Sequence, residues 1–481
     1  MIGLSNRLWF KIVLLFSLIG FVFAFDTKVA KTTISIPNNF RNTKVLRVID
    51  TRSSVVQEEI AIRVKNINSS PVDNYIYAVE SSVDDHIASI NAVLRQEPKT
   101  PLTIEKAGFD SEKELQLYKI TFDEPLGADQ DIRITIKISY THTLKPLPAK
   151  IPQVARQLLT YKGNVFLFSP YVTDEVKTTV VLPSSNIVSF TGGDSVQQKG
   201  NKLVYGPFHN IGAESFQPLD CHFESSNPLI TITYLQRDLQ VSHWGNNLAV
   251  EEHYTLRNDG AELNENFNRA RYMLSSQIHS ATNLLKSLTL RFPVGATDVY
   301  YRDEIGNVST SNFRYERDSS VLNIRPRYPI FGGWNYNWYH GYNAPLSSFL
   351  RSYKDEYILN VNFVENTKDM AIDKIRLQIT LPEGASDVNV HSPFELDLIE
   401  HSKLYTNFDS TGRYLITLEK HNVVSDYEKP IQITYKYSTY YLLQKPLVVS
   451  LALFSLFTLS VIISKLPVYI GKKKKLELKT E

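Results

Sequence analysis

The stretch IRITIKIS, residues 132–139, decides the fold class, because Ile132, Ile134, Ile136 and Ile138 alternate with polar residues. A period of two puts all four side chains on one face of a strand. The same pattern returns in IRLQITL (375–381), where Ile375, Leu377, Ile379 and Leu381 share a face. It recurs at Ile60, Ile62 and Val64, at Leu288, Leu290 and Phe292, and at Ile431, Ile433, Tyr435 and Tyr437. These runs predict a mainly β chain of antiparallel sheets. One short helix is expected in IPQVARQLLTY (151–161), with Pro152 near its start.

Set side by side, the strands echo one another. VVQEEIAIRVKN (55–66) resembles LAVEEHYTLRN (248–258), and IKISYTHTLKPLP (136–148) resembles IQITYKYSTYYLLQKPL (431–447). A third echo, strand, proline, turn, strand, runs through TTVVLPSSNIVSF (178–190), LTLRFPVGATDVYY (288–301) and LQITLPEGASDVNV (377–390). Proline ends each strand by removing a ladder donor. The echoes predict two tandem β-sandwich-like domains, 25–225 and 226–445.

The ends of the chain set its topology. Residues 1–24, MIGLSNRLWFKIVLLFSLIGFVFA, carry Arg7 and Lys11, an apolar run and small residues before Phe25, the pattern of a cleaved secretory signal peptide. PLVVSLALFSLFTLSVIIS (446–464) has no charge and the length of a transmembrane helix, which can extend to 470. Lys465 and Lys472 to Lys475 follow it, against Lys445 alone on the near side. The positive-inside rule therefore makes 465–481 a short basic cytosolic tail and the protein single-pass, type I, with residues 25–445 luminal or extracellular.

Composition narrows the function. A net charge of +2 does not suggest a nucleic-acid partner, and one cysteine, Cys221, allows no internal disulfide. The sequence has no HExxH, Gly-x-Ser-x-Gly, phosphate-loop or dinucleotide motif, and Cys221-His222 falls short of a metal ligand set. The doublets Glu58-Glu59 and Glu251-Glu252 lie in expected strands, so each pair splits between opposite faces and cannot act as acid and base together. No catalytic, metal or cofactor residue is assigned and no cofactor is expected. Two N-glycosylation acceptors stand in the luminal part, Asn307 in GNVSTS and Asn68, which Pro71 follows closely.

YYRDEIGNVSTS (300–311), RPRYPIFGGWNYNW (325–338) and VSHWGNNLAVEE (241–252) together resemble the hallmark segments of the ribophorin I family. That family supplies the large type I subunit of the endoplasmic reticulum oligosaccharyltransferase complex, and the short tail resembles its fungal members. The resemblance implies a non-catalytic subunit. The complex transfers a preassembled oligosaccharide from dolichol pyrophosphate to asparagine in Asn-X-Ser/Thr of nascent proteins, and a multispanning subunit carries the catalytic residues. The implied partners are that catalytic subunit, other membrane subunits, nascent polypeptide and the lipid bilayer. The implied location is the endoplasmic reticulum membrane, and the implied role is scaffold or acceptor presentation. A cell-surface receptor or adhesion ectodomain is the alternative, since it too predicts a signal peptide, β-sandwiches and one span.

The aromatic stretch from Trp334 to Tyr342 has three readings: packing in the second domain, a partner interface, or contact with glycan or acceptor. Trp334, Tyr336, Trp338 and Tyr339 are the candidate interface residues, expected on a loop facing a partner subunit.

Overall fold

The computed structural model describes residues 36–95, 100–192, 196–275, 282–406 and 409–466. The expected signal peptide and the Lys472–Lys475 run lie outside the described residues. The chain is mainly β, as the alternation predicts. Ile134, Ile136 and Ile138 are buried, and full burial of such a side chain contributes about 1.5–3 kcal/mol.

Nine strands, described in turn, recur in the same arrangement in both halves. In the first half, β1 (Phe40–Asp50) forms a hairpin with β2 (Val56–Asn66), which pairs with β3 (Asp131–Tyr140). β4 (Leu158–Asn164) lies in a smaller sheet, and β5 (Thr173–Val181) runs parallel to β1 and pairs with β6 (Lys202–Ile211). In the second half, β7 (Ile230–Ser242) and β8 (Asn247–Asn258) form the hairpin, and β8 pairs with β9 (Asn335–Pro345). β10 (Glu356–Asn362) takes the place of β4, and β11 (Ala371–Thr380) runs parallel to β7 and pairs with β12 (Arg413–Val423). The smaller sheets match as well: 144–146, β4, 218–224 and 187–190 in one, 350–353, β10, 430–436 and 386–391 in the other. Each half buries its own hydrophobic core between a large sheet and the elements folded over it.

The halves meet along a seam where Val55 and Ala88 cluster with Ala371 and Val424 and polar groups pair beside them. Asp426 accepts hydrogen bonds from Ser139 (3.1 Å) and Ser89, Tyr427 donates to the Ala88 carbonyl at 2.8 Å, and His142 lies 2.8 Å from Asp373. The expected helix at 151–161 is absent. Lys150–Ile151 is instead a short strand running parallel to Glu262–Leu263, followed by a turn and β4. Tertiary partners override helix propensity here: Gln153 exchanges hydrogen bonds with the Asn268 backbone, and Gln157 Oε1 accepts from Ala261 N at 3.1 Å.

Of the sequence echoes, 55–66 and 248–258 fall on β2 and β8, and 178–190 and 377–390 also fall on equivalent strands. The pair 136–148 and 431–447 does not. β3 belongs to a large sheet beside β2, whereas 430–436 belongs to a small sheet beside β10.

A single long helix, α1 (Tyr441–Lys465), closes the described chain. It is apolar and long enough to cross a membrane, and none of it is buried within the protein. Its first turn is clasped to the second half. Lys445 Nζ lies 2.5 Å from Asp409 Oδ1, and the Tyr441 ring packs on Gly384, where a Cβ would come within 2.4 Å of it.

Candidate functional site

The aromatic stretch is not a loop. Residues 335–345 form β9, held between β8 and the 297–303 strand, so its side chains alternate between two faces. Tyr336, Trp338, His340 and Tyr342 point into the second core. The Trp338 ring stacks on Tyr254 at 4.6 Å, and the Tyr336 and Tyr301 hydroxyls lie 2.5 Å apart. Tyr336 and Trp338 therefore present no surface to a partner, which corrects half of the expected interface. Trp334, half-buried, packs edge-on against Phe331 and Phe267.

Tyr339 faces the other way. It stacks on His253 at 5.0 Å, and Arg302 donates to its hydroxyl at 3.4 Å. Tyr300 lies over Gly341 and donates to Glu251, an approach that glycine permits because a Cβ at 341 would meet the Tyr300 hydroxyl at 2.3 Å. The outer face thus carries a half-exposed patch of Tyr300, Arg302, Tyr339 and His253.

Beneath β9 lies a buried charge cluster that pattern reading had not singled out. Arg237 Nε is 2.6 Å from Glu252 Oε1, its Nη2 is 3.1 Å from Glu365, and its Nη1 donates to the Asn362 carbonyl. His340 Nε2 lies 3.2 Å from the second Glu252 oxygen, to which Tyr254 donates at 2.8 Å. Burial pushes the Glu252 carboxyl up, but Arg237, His340 and Tyr254 outweigh it and bring it down to about 2. Phe292 covers the cluster, stacked on His340 and Tyr342. The signal was present in parity: Arg237 shares its strand face with Leu235 and Leu239.

The first half repeats the theme. Arg47, like Arg237, is the eighth residue of its strand; it pairs with Glu58 and donates to the carbonyl of Asn164, the last residue of β4, as Asn362 is of β10. Here the pair borders an open cleft of about 370 Å³ walled by Tyr77, Tyr140, Tyr161 and Phe166.

The remaining candidates sit apart from these clusters. Asn307 lies exposed on the hairpin tip after 297–303, its side-chain oxygen accepting from Arg302 at 2.8 Å. Asn68 is half-buried, and its amide nitrogen donates to Asn39 at 3.1 Å. Cys221 is a buried thiol facing Tyr205, while His222 points to the opposite face. Among the described residues no group of three His, Cys, Asp or Glu side chains is placed to hold a metal.

The sequence matches the family described as Ribophorin I over residues 40–464. The chain belongs to the ribophorin I family. It is similar to the Caenorhabditis elegans protein named dolichyl-diphosphooligosaccharide–protein glycosyltransferase subunit 1, at 32% identity over 95% of this chain and 75% of that one. It is also similar to subunit 1B of Arabidopsis thaliana, at 31% identity over 86% of this chain and 90% of the relative. Among solved structures, an M1 zinc metallopeptidase from Deinococcus radiodurans is matched over 44% of this chain and 42% of the peptidase, at 10% identity and a TM-score of 0.27.

Proposed function

We propose that this protein is a subunit of an oligosaccharyltransferase that moves a preassembled oligosaccharide from dolichol pyrophosphate to asparagine in Asn-X-Ser/Thr. The observation that carries this reading is the match to the ribophorin I family over nearly all the described chain, together with relatives named as subunit 1 of that transferase. In this reading the chain serves as scaffold or acceptor-presenting element beside a catalytic multispanning subunit. It sits in the endoplasmic reticulum membrane with α1 as a span, the β repeats in the lumen and the residues after α1 on the cytosolic side.

The outward patch of Tyr339, Tyr300 and Arg302 is the partner-facing surface in this reading, since exposed Tyr and Arg are frequent binding anchors. Asn307, exposed on its hairpin tip, is the favoured glycan acceptor.

The test is gentle purification through a C-terminal tag, identification of co-purifying chains, and assay of oligosaccharide transfer to an Asn-X-Thr peptide. Activity in the assembly and none in the isolated chain is the expected result. A lone protein at the cell surface without transferase activity would overturn it. Tyr339→Ala with Arg302→Ala is expected to reduce co-purification while the chain remains folded.

A further inference from the structure

A groove of about 600 Å³ lies where the second repeat meets α1. Trp244 in the β7–β8 turn, Pro382 after β11 and Arg413 in β12 wall one side, and Leu442, Pro446 and Val449 wall the other. The last three are spaced four and three residues apart and so share one helix face. Lys445 is the last charge before the apolar run, and Val449 lies about 6 Å further along the helix at 1.5 Å per residue. The groove therefore runs past the last charge into the stretch that spans the bilayer.

Trp244 is 77% exposed at the tip of its hairpin, and Tyr440, at the mouth of the helix, is 85% exposed. Large rings of this kind, apolar in body and polar at one edge, settle at the level of lipid headgroups. The start of α1 is joined to the second repeat beside them, because Asp409 holds Lys445 and also lies 3.4 Å from Arg413.

We propose that this groove is a lipid site, in which one acyl chain of a glycerophospholipid lies along Leu442, Pro446 and Val449 beneath the Trp244 ring. The continuity of the groove with the apolar helix face selects this occupant, because anything entering from water would have to reach hydrocarbon depth. Arg413, a quarter exposed in the same groove, offers its guanidinium to the lipid phosphate. The inference rests on α1 crossing the bilayer.

The experiment uses the full chain in phosphatidylcholine vesicles with bromine on the acyl chains, wild type beside Trp244→Phe. Trp334 and Trp338, which pack within the second repeat, give a common background, as does Trp9 wherever the expected signal peptide is retained. The emission that Trp244→Phe removes is expected to lose most of its intensity in brominated vesicles and to resist aqueous iodide. If iodide quenches that emission and bromine does not, Trp244 stands in water and the lipid site is wrong. If neither quenches it, protein covers the groove and the lipid site is equally wrong. Flotation of both chains with the vesicles tests the spanning reading separately, and a chain that fails to float overturns that reading first.

Discussion

The two repeats place an arginine at the same position of the same strand, pair it with a carboxylate from the neighbouring strand, and end it on an asparagine carbonyl. Their surroundings differ. Around Arg237 and Glu252, Phe292, His340 and Glu365 fill the space; around Arg47 and Glu58, a cleft of about 370 Å³ stays open. A buried ion pair loses its hydration and recovers it only through good geometry and further hydrogen bonds. The second repeat supplies these from protein groups, and the first leaves room for water. The lesson is that the same buried ion pair can be enclosed by protein groups in one copy and stand beside an open cleft in the other.

The largest expected effect breaks the sealed pair. Glu252→Ala leaves the buried Arg237 with Glu365 as its one carboxylate and His340 and Tyr254 without theirs, and should cost about 3–5 kcal/mol, while Glu58→Ala, beside the open cleft, should cost about 1–3 kcal/mol. Denaturant unfolding of both variants measures the difference, and equal costs would erase the distinction drawn here. Acid probes the same pair without mutation. The Glu252 carboxyl sits at about 2 when folded against an ordinary 4.5. Unfolded chains bind the extra proton between those values, so the stability from this group is complete above about 4.5 and lost as pH falls toward 2. A pH series of melts should show this loss in wild type and not in Glu252→Gln.

Next in size, Phe292→Ala opens a cleft in the second repeat like that of the first and should cost about 3–4 kcal/mol, read from the same unfolding curves. The smallest effect has the opposite sign. The buried Thr143 hydroxyl at the first cleft has no hydrogen-bond partner among the described residues, so Thr143→Val should be neutral or stabilising by up to about 1 kcal/mol. A clear loss of stability would show that ordered water serves this hydroxyl and that the cleft is wet.

Alternation carried the fold class, because parity along a strand is a local property that burial enforces directly. It also shows why letter matching misled at the charge pairs. The doublets Glu58-Glu59 and Glu251-Glu252 look equivalent, yet Asn66 and Asn258, each opposite the first residue of the preceding strand, fix the register one residue out. The inward carboxylate is consequently the first of one doublet and the second of the other. Tyr336 and Trp338 were legible as aromatic anchors, but their direction depended on recognising 335–345 as a strand and not the expected loop. The helix expected at 151–161 failed because Gln153 and Gln157 are held by the other repeat, at a sequence distance that no local pattern reports. Phe292 lay in an alternating run, but nothing local says that it covers the partner of Arg237.

The clasp between Lys445, Asp409, Gly384 and Tyr441 has a mechanical consequence. A helix joined by a slack tether would leave the β repeats free to swivel, whereas this one is bolted to its load. Spans tilt by about 20° on average to match their hydrocarbon length to the bilayer. With α1 as the proposed span, such a tilt would pass through the clasp to the second repeat, and membrane thickness would act as a lever on the height and attitude of the β body.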